Sequence, residues 1–155
     1  MTPADLVQND ALSAAILSQA VHSFSARDDR GMPLLLSLAV LPVVLHARST
    51  AQVNKRRGDA ALYRVAEETP RIGADLEARA RAMTDQTFDA LNLAAACGSV
   101  MIDTESGCLL AGGELFPIDS APAEVRAKLH AATRLGSWFA TVGGPQTCAL
   151  LNLRM

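Results

Sequence analysis

The stretch Gly31–Arg48, GMPLLLSLAVLPVVLHAR, constrains the fold more than any other in the chain. Between Met32 and Leu45 its only polar residue is Ser37, and it carries two prolines, Pro33 and Pro42. A run this apolar must be buried, yet its 14 residues fall short of the roughly 20 that a bilayer crossing needs. Leu34, Leu35, Leu38, Val40, Leu41, Val44 and Leu45 cover nearly the whole circumference of a helix. That distribution predicts a central helix packed on several sides. Pro33 suits its first turn, where an N–H is not needed, and Pro42 would bend it near its C-terminal end.

The rest of the core must be aliphatic. Half of the 155 residues are hydrophobic but only 4% are aromatic, so Ala, Leu and Val have to fill it, a composition that favours helices in a single domain spanning 1–155. The net charge of −2 gives no overall attraction for DNA or anionic lipid. Any nucleic-acid contact therefore needs a local patch or a second protein. The N-terminal MTPADLVQND carries acids where a secretory leader would be basic. Cys97, Cys108 and Cys148 are an odd, widely spaced set, read as buried structural thiols in a reducing compartment. The expectation is a cytoplasmic protein with no membrane partner.

Residues 4–24 read as a first helix, with Leu12, Ala15, Ile16, Ala20 and Phe24 at helical spacing. After the central helix, Ser49–Gly58 holds the one dense basic cluster, Lys55, Arg56 and Arg57. It reads either as a solvated loop or as a contact for phosphate or an acidic surface. Asp59 can cap a helix running to Glu68, with Leu62, Tyr63 and Val65 on its apolar side, and Thr69-Pro70 ends it. A helix over 72–82 and another over 84–97 follow, the second capped by Thr84, with Phe88, Leu91 and Ala95 facing inward and Gly98 closing it. The period then changes. Val100–Ile102 and Cys108–Ala111 flank the turn chemistry DTESG, which is a β-hairpin pattern. Helix, short turn, helix and hairpin over 72–112 is the order of a winged helix-turn-helix, so the expected fold class is mainly α: about six helices, the winged unit with one hairpin as its wing, and extra flanking helices. The second helix of that unit exposes Asp85, Gln86, Asp89 and Asn92 and no Lys or Arg, which argues against reading the major groove.

A long helix from Pro122, with Ser120 as its cap, carries the stripe Val125, Leu129, Ala132, Leu135 and Phe139, and Gly143-Gly144 ends it. Residues 122–155 form the candidate docking element, with Arg134, Trp138, Leu151 and Arg154 as its candidate partner-facing residues. Trp138 lies four residues after Arg134, which allows an Arg–aromatic contact of the kind enriched at interfaces. The alternative is a Trp that closes the edge of its own core. No catalytic, metal or cofactor set is expected. His22, His46 and His130 stand far apart without a ligand-spaced partner, and no phosphate-binding glycine loop or nucleophile elbow occurs. A Cys97–His130 pair has nothing in its flanks that would activate the thiol.

Several stretches together resemble a known family. They are L-P-V-V-L-H at Leu41–His46, E-A-R-A-R at 77–81, the helix and C-G break over Thr84–Gly98, and L-L-x-G at Leu109–Gly112. The closing pair is R-L-G-S-W-F-A at Arg134–Ala140 and the ending A-L-L-N-L-R-M. In this order they resemble the middle component of bacterial three-component ABC-ATPase systems. Two departures stand out. ARSTAQVNKRR replaces the family's threonine–arginine pair after L-P-x-x-L-H, and L-L-N-L-R-M replaces an ending closer to L-L-G-V-R-P. The resemblance implies a small non-enzymatic adaptor without cofactor or metal. It would link an SMC- or RecF-like ABC ATPase to an effector-bearing third component in conflict with phage, touching DNA only indirectly or non-specifically. A winged-helix DNA-binding regulator and a small Cys- or His-based enzyme are the competing readings.

Overall fold

The apolar stretch folds into a core helix against which most of the other helices pack. The computed structural model describes residues 9–58, 61–68 and 70–153. Among them eight α-helices run in chain order: α1 (Asp10–Ser25), α2 (Leu34–Val44), α3 (Ala47–Lys55), α4 (Ala61–Glu68), α5 (Pro70–Ala82), α6 (Thr84–Ala96), α7 (Ala123–Val142) and α8 (Gly144–Leu150). Strand β1 (Met32–Pro33) precedes α2, the hairpin β2 (Val100–Asp103) and β3 (Cys108–Ala111) follows α6, and a 3-10 turn spans Ile118–Ser120. The cap proposed at Asp59 and the stop proposed at Thr69 lie outside the described residues.

Helix α2 is buried continuously from Leu36 to Val44 and touches α1, α3, α5, α6, α7 and α8, as an all-round apolar helix must. Its one polar side chain, Ser37, donates to the Leu34 carbonyl at 2.6 Å. Pro33 sits outside the helix, ending β1, because its extended ψ of 137° suits a strand. The C-terminus of α2 is buried, so its last four carbonyls need partners. Leu41 O accepts from Leu45 N and Val43 O from His46 N. Thr50 Oγ1 donates to Val44 O, and Arg79 Nη1 reaches from α5 to Pro42 O at 3.0 Å. A cation at this end also opposes the helix dipole. Thus the L-P-V-V-L-H and E-A-R-A-R stretches meet at one helix terminus.

The chain then turns by 103° into α3, where the sequence suggested a solvated loop. Helix formation there follows from the buried Ser49, Thr50 and Val53 and from the cap at His46. His46 Nδ1 accepts from Ser49 N (3.3 Å) and lies 2.8 Å from Ser49 Oγ, so that nitrogen carries no proton. Burial first, then the charges of Arg79 and Arg48, lower the His46 pKa from 6.5. The folded state therefore binds this proton less readily than the unfolded chain. The cap's contribution is complete above pH 6.5 and is lost as pH falls through the lower folded value. Asn is a strong cap that does not titrate. The melting-temperature difference between His46→Asn and wild type should therefore grow in favour of the variant as pH falls toward about 5. A difference that stays constant with pH would contradict this cap.

Helix α1 is buried on most of its circumference because it lies against both α7 and α6. Its buried polar groups hold the segment that follows α6. Ser18 Oγ pairs with Ser99 Oγ at 2.8 Å, His22 Nε2 donates to Ser99 O at 2.7 Å, and Gln19 Nε2 to Phe116 O at 3.2 Å. Where α1 crosses α7 the backbones meet at Gly136, on which a Cβ would lie 2.1 Å from Ala20 O. Nearby, Ser23 Oγ donates to Thr133 O at 2.7 Å.

Helices α5 and α6 are separated by Met83 alone, and Thr84 does not cap the start of α6: its hydroxyl donates back to Ala80 O, at the end of α5. The inward face of α6 is Thr87, Ala90, Leu91 and Ala94, so Phe88, expected inside, is 40% exposed; Tyr63 on α4 likewise faces out. Gly98, at φ +76°, closes α6 as expected, with Ser99 N bonding Ala94 O and Gly98 N bonding Ala95 O. The hairpin pairs Val100 with Ala111 through Asp103 with Cys108. Asp103 organises its turn by accepting from Glu105 N, Ser106 N and Ser106 Oγ. A third strand, β1, pairs with β3 (Met32 with Leu109), so the antiparallel order is β1-β3-β2. The sheet is therefore completed from outside residues 72–112.

Helix α7 starts at Ala123 with Pro122, not Ser120, as its cap, and Gly143 ends it at φ +91°. The tail docks: Leu151 and Leu153 are buried, and Asn152 takes φ +54° between them. Leu153 N bonds Cys148 O and Asn152 N bonds Ala149 O, the same cap geometry as at Gly98. The departure from L-L-G is thus conservative, because Asn tolerates the left-handed conformation better than other side chains.

Candidate functional site

The basic cluster and the C-terminal element, separate in sequence, form one groove. On α7, Arg126, His130 and Arg134 recur every four residues, with Thr133, Ser137 and the edge of Trp138 beside them. Such spacing puts them along one side of the helix. Against them runs the end of α3 and the turn after it, with Asn54, Arg56, Arg57 and Gly58. Two hydrogen bonds tie the walls together: Asn54 Nδ2 donates to Ala127 O at 3.0 Å, and Arg134 Nη1 donates to Arg56 O at 2.9 Å. The groove has two adjoining hollows of about 350 and 490 Å³ that share Arg57, His130 and Arg134.

Its electrostatics are one-sided. Among the described residues that line it there is no Asp or Glu. Arg57 and Arg126 form no ion pair among the described residues, whereas Arg30 pairs with Asp28 and Arg81 with Glu77 elsewhere. Burial, and after it the positive charge of Arg57, lower the Arg134 pKa from its ordinary value. Clustered guanidinium groups with the Ser137 hydroxyl beside them are equipped to hold an oxyanion.

The structure sorts the sequence candidates. Arg56, Arg57 and Arg134 line the groove; Lys55, the last residue of α3, does not. Trp138 and Leu151, expected to face a partner, are 6% and 3% exposed and lie among the core residues, while Arg134 lines the groove. Arg154 lies outside the described residues. Arg126 and His130 were missed as groove residues because isolated helix-face charges look solvated until a second wall stands opposite.

A second surface is apolar. Leu93, Cys97, Leu115 and Phe116 line a hollow of about 400 Å³ between α6, α1 and the segment after the hairpin, and Phe116 is 50% exposed. Cys97 is exposed there, not buried as expected, and His130 lines the other groove, so the two do not share a site. No group of three or more His, Cys, Asp or Glu side chains that could hold a metal occurs among the described residues. No single described helix is long and apolar enough to cross a membrane.

No curated protein and no solved structure matches the chain significantly. A family model does, and it covers the core helix, the hairpin, α7 and the docked tail together. Matched over residues 2–155, the chain belongs to the family described as ABC-three component (ABC-3C) system Middle Component 3.

Proposed function

We propose that this chain is a non-enzymatic, cytoplasmic adaptor that links an SMC- or RecF-like ABC ATPase to an effector-bearing third component in a system directed against phage. The observation that carries this reading is the family match along residues 2–155, since a middle component has other components to contact. Two chemically distinct surfaces support it. The arginine groove between α3 and α7 suits an anionic partner group, and the hollow at Leu93 and Phe116 suits an apolar one. Exposed apolar side chains on the hairpin, Met101 and Ile102, extend the choice of protein-facing surface.

The sheet order β1-β3-β2 favours a winged-helix shape. It also keeps a DNA-binding regulator as a second reading, against which the uncharged and acidic outer face of α6 counts. Co-expression of the tagged chain with a candidate ABC ATPase and third component of such a system is the test. A complex that survives gel filtration and contains all three is expected. A chain that elutes alone, or that binds one operator sequence tightly without any partner, would overturn the adaptor.

A further inference from the structure

We infer that the α3–α7 groove binds the sugar-phosphate backbone of a nucleic-acid strand, directly and without regard to base sequence. The groove is open, elongated and cationic, the shape that follows a backbone. Arg126, His130 and Arg134 stand at i, i+4 and i+8, a rise of about 6 Å per step. Arg57 faces this ladder from the other wall, and Ser137 adds a hydroxyl group at its end. Two arginines with an imidazole between them at regular spacing suit a regular polyanion.

The charge balance of the lining is the stronger argument. A chain of net charge −2 has carboxylates enough to neutralise its arginines, and it does so at Arg30 and Arg81. Along this groove no described lining residue is acidic. Guanidinium groups held close together in a part-buried site repel one another, and an oxyanion between them removes that cost. Nothing in the groove is arranged to read base edges: its donors face along a helix side and not from a helix tip inserted into a duplex. The contact is therefore with phosphate. This inference does not rest on the adaptor reading, because the isolated chain carries every residue it uses.

The experiment uses the full chain alone and a labelled duplex oligonucleotide of mixed sequence, followed by anisotropy over a range of salt. Trp138, the only tryptophan, lies at the groove edge and reports binding by its emission. Three arginines on phosphate predict a slope of log K against log salt of about −3, with weak binding at physiological salt. Arg57→Gln and Arg126→Gln should each flatten the slope by about 1 and affect all sequences alike. Neither side chain has a hydrogen bond among the described residues, so melting temperatures should hold. Arg30→Gln, on a paired and exposed arginine, should change nothing. Absence of binding at low salt, or binding unaffected by the two groove variants, would overturn the inference. So would polyglutamate competing as well as unlabelled DNA at equal charge, which would assign the groove to an acidic protein segment. Binding of inorganic phosphate alone, with no oligonucleotide bound, would also overturn it.

Discussion

Gly136→Ala should lower the melting temperature by about 4–8 °C. The added Cβ would stand 2.1 Å from the Ala20 carbonyl oxygen and 2.2 Å from Ser23 Oγ, distances at which something must move. The nearest obstacle is backbone of α1, which cannot rotate aside as a side chain would. Separating α1 from α7 opens the most extensive helix contact in the fold and strains the Ser23–Thr133 hydrogen bond. Overpacking of this kind costs about 3 kcal/mol and exceeds the ~1 kcal/mol that alanine gains over glycine as a helix former. In a chain of this length each kcal/mol moves the midpoint by about 2–4 °C. Thermal denaturation followed by circular dichroism measures it. A midpoint within experimental error of wild type would mean that the two helices do not approach this closely.

Trp138→Ala should destabilise the fold by about 3–5 kcal/mol, as loss of a large buried aromatic does when its neighbours relax only partly. The sequence suggested the opposite weighting, with assembly hurt more than stability. At 6% exposure and among the core residues of α7, the indole has little surface left to offer a partner. Trp138→Phe, which keeps most of the volume, should restore most of the loss. A melt and a pull-down on both variants separate the two roles. If Trp138→Ala melts like wild type yet no longer copurifies with its partners, the residue is a docking anchor after all.

The R-L-G-S-W-F-A stretch now has a physical content residue by residue. Arg134 faces the groove, Leu135 and Phe139 fill the core, Gly136 permits the crossing with α1, and Trp138 closes the core beneath the groove. Only the Leu135–Phe139 spacing was legible as burial in advance. The glycine inside a helix is unfavourable locally, and its reason is the Ala20 carbonyl 116 residues earlier in the chain.

Sequence by itself determined the parts whose cause is local or periodic. The all-apolar run could only be a core helix, the 3.6-residue stripe of α7 had to face inward, Gly98 had to end α6, and the DTESG turn had to join the two strands of the hairpin. The motif order was enough to indicate the family. Tertiary structure decided whatever depends on two distant segments meeting. Strand β1 is two residues long, too short for any period, and exists because β3 offers it a partner. Helix α3 looked like a loop because its burial comes from three small or β-branched residues and its cap from a histidine. Phe88 turned outward because the inward face belongs to Leu91 and to Thr87, Ala90 and Ala94, the last three small enough to let α6 lie close against its neighbours. The arginine groove is the clearest case. Arg57 and Arg134 are 77 positions apart, and each alone is an ordinary surface charge. Only when α3 turns 103° from the core helix and lies along α7 do like charges face each other across one groove, and it is that enforced proximity that makes them a site.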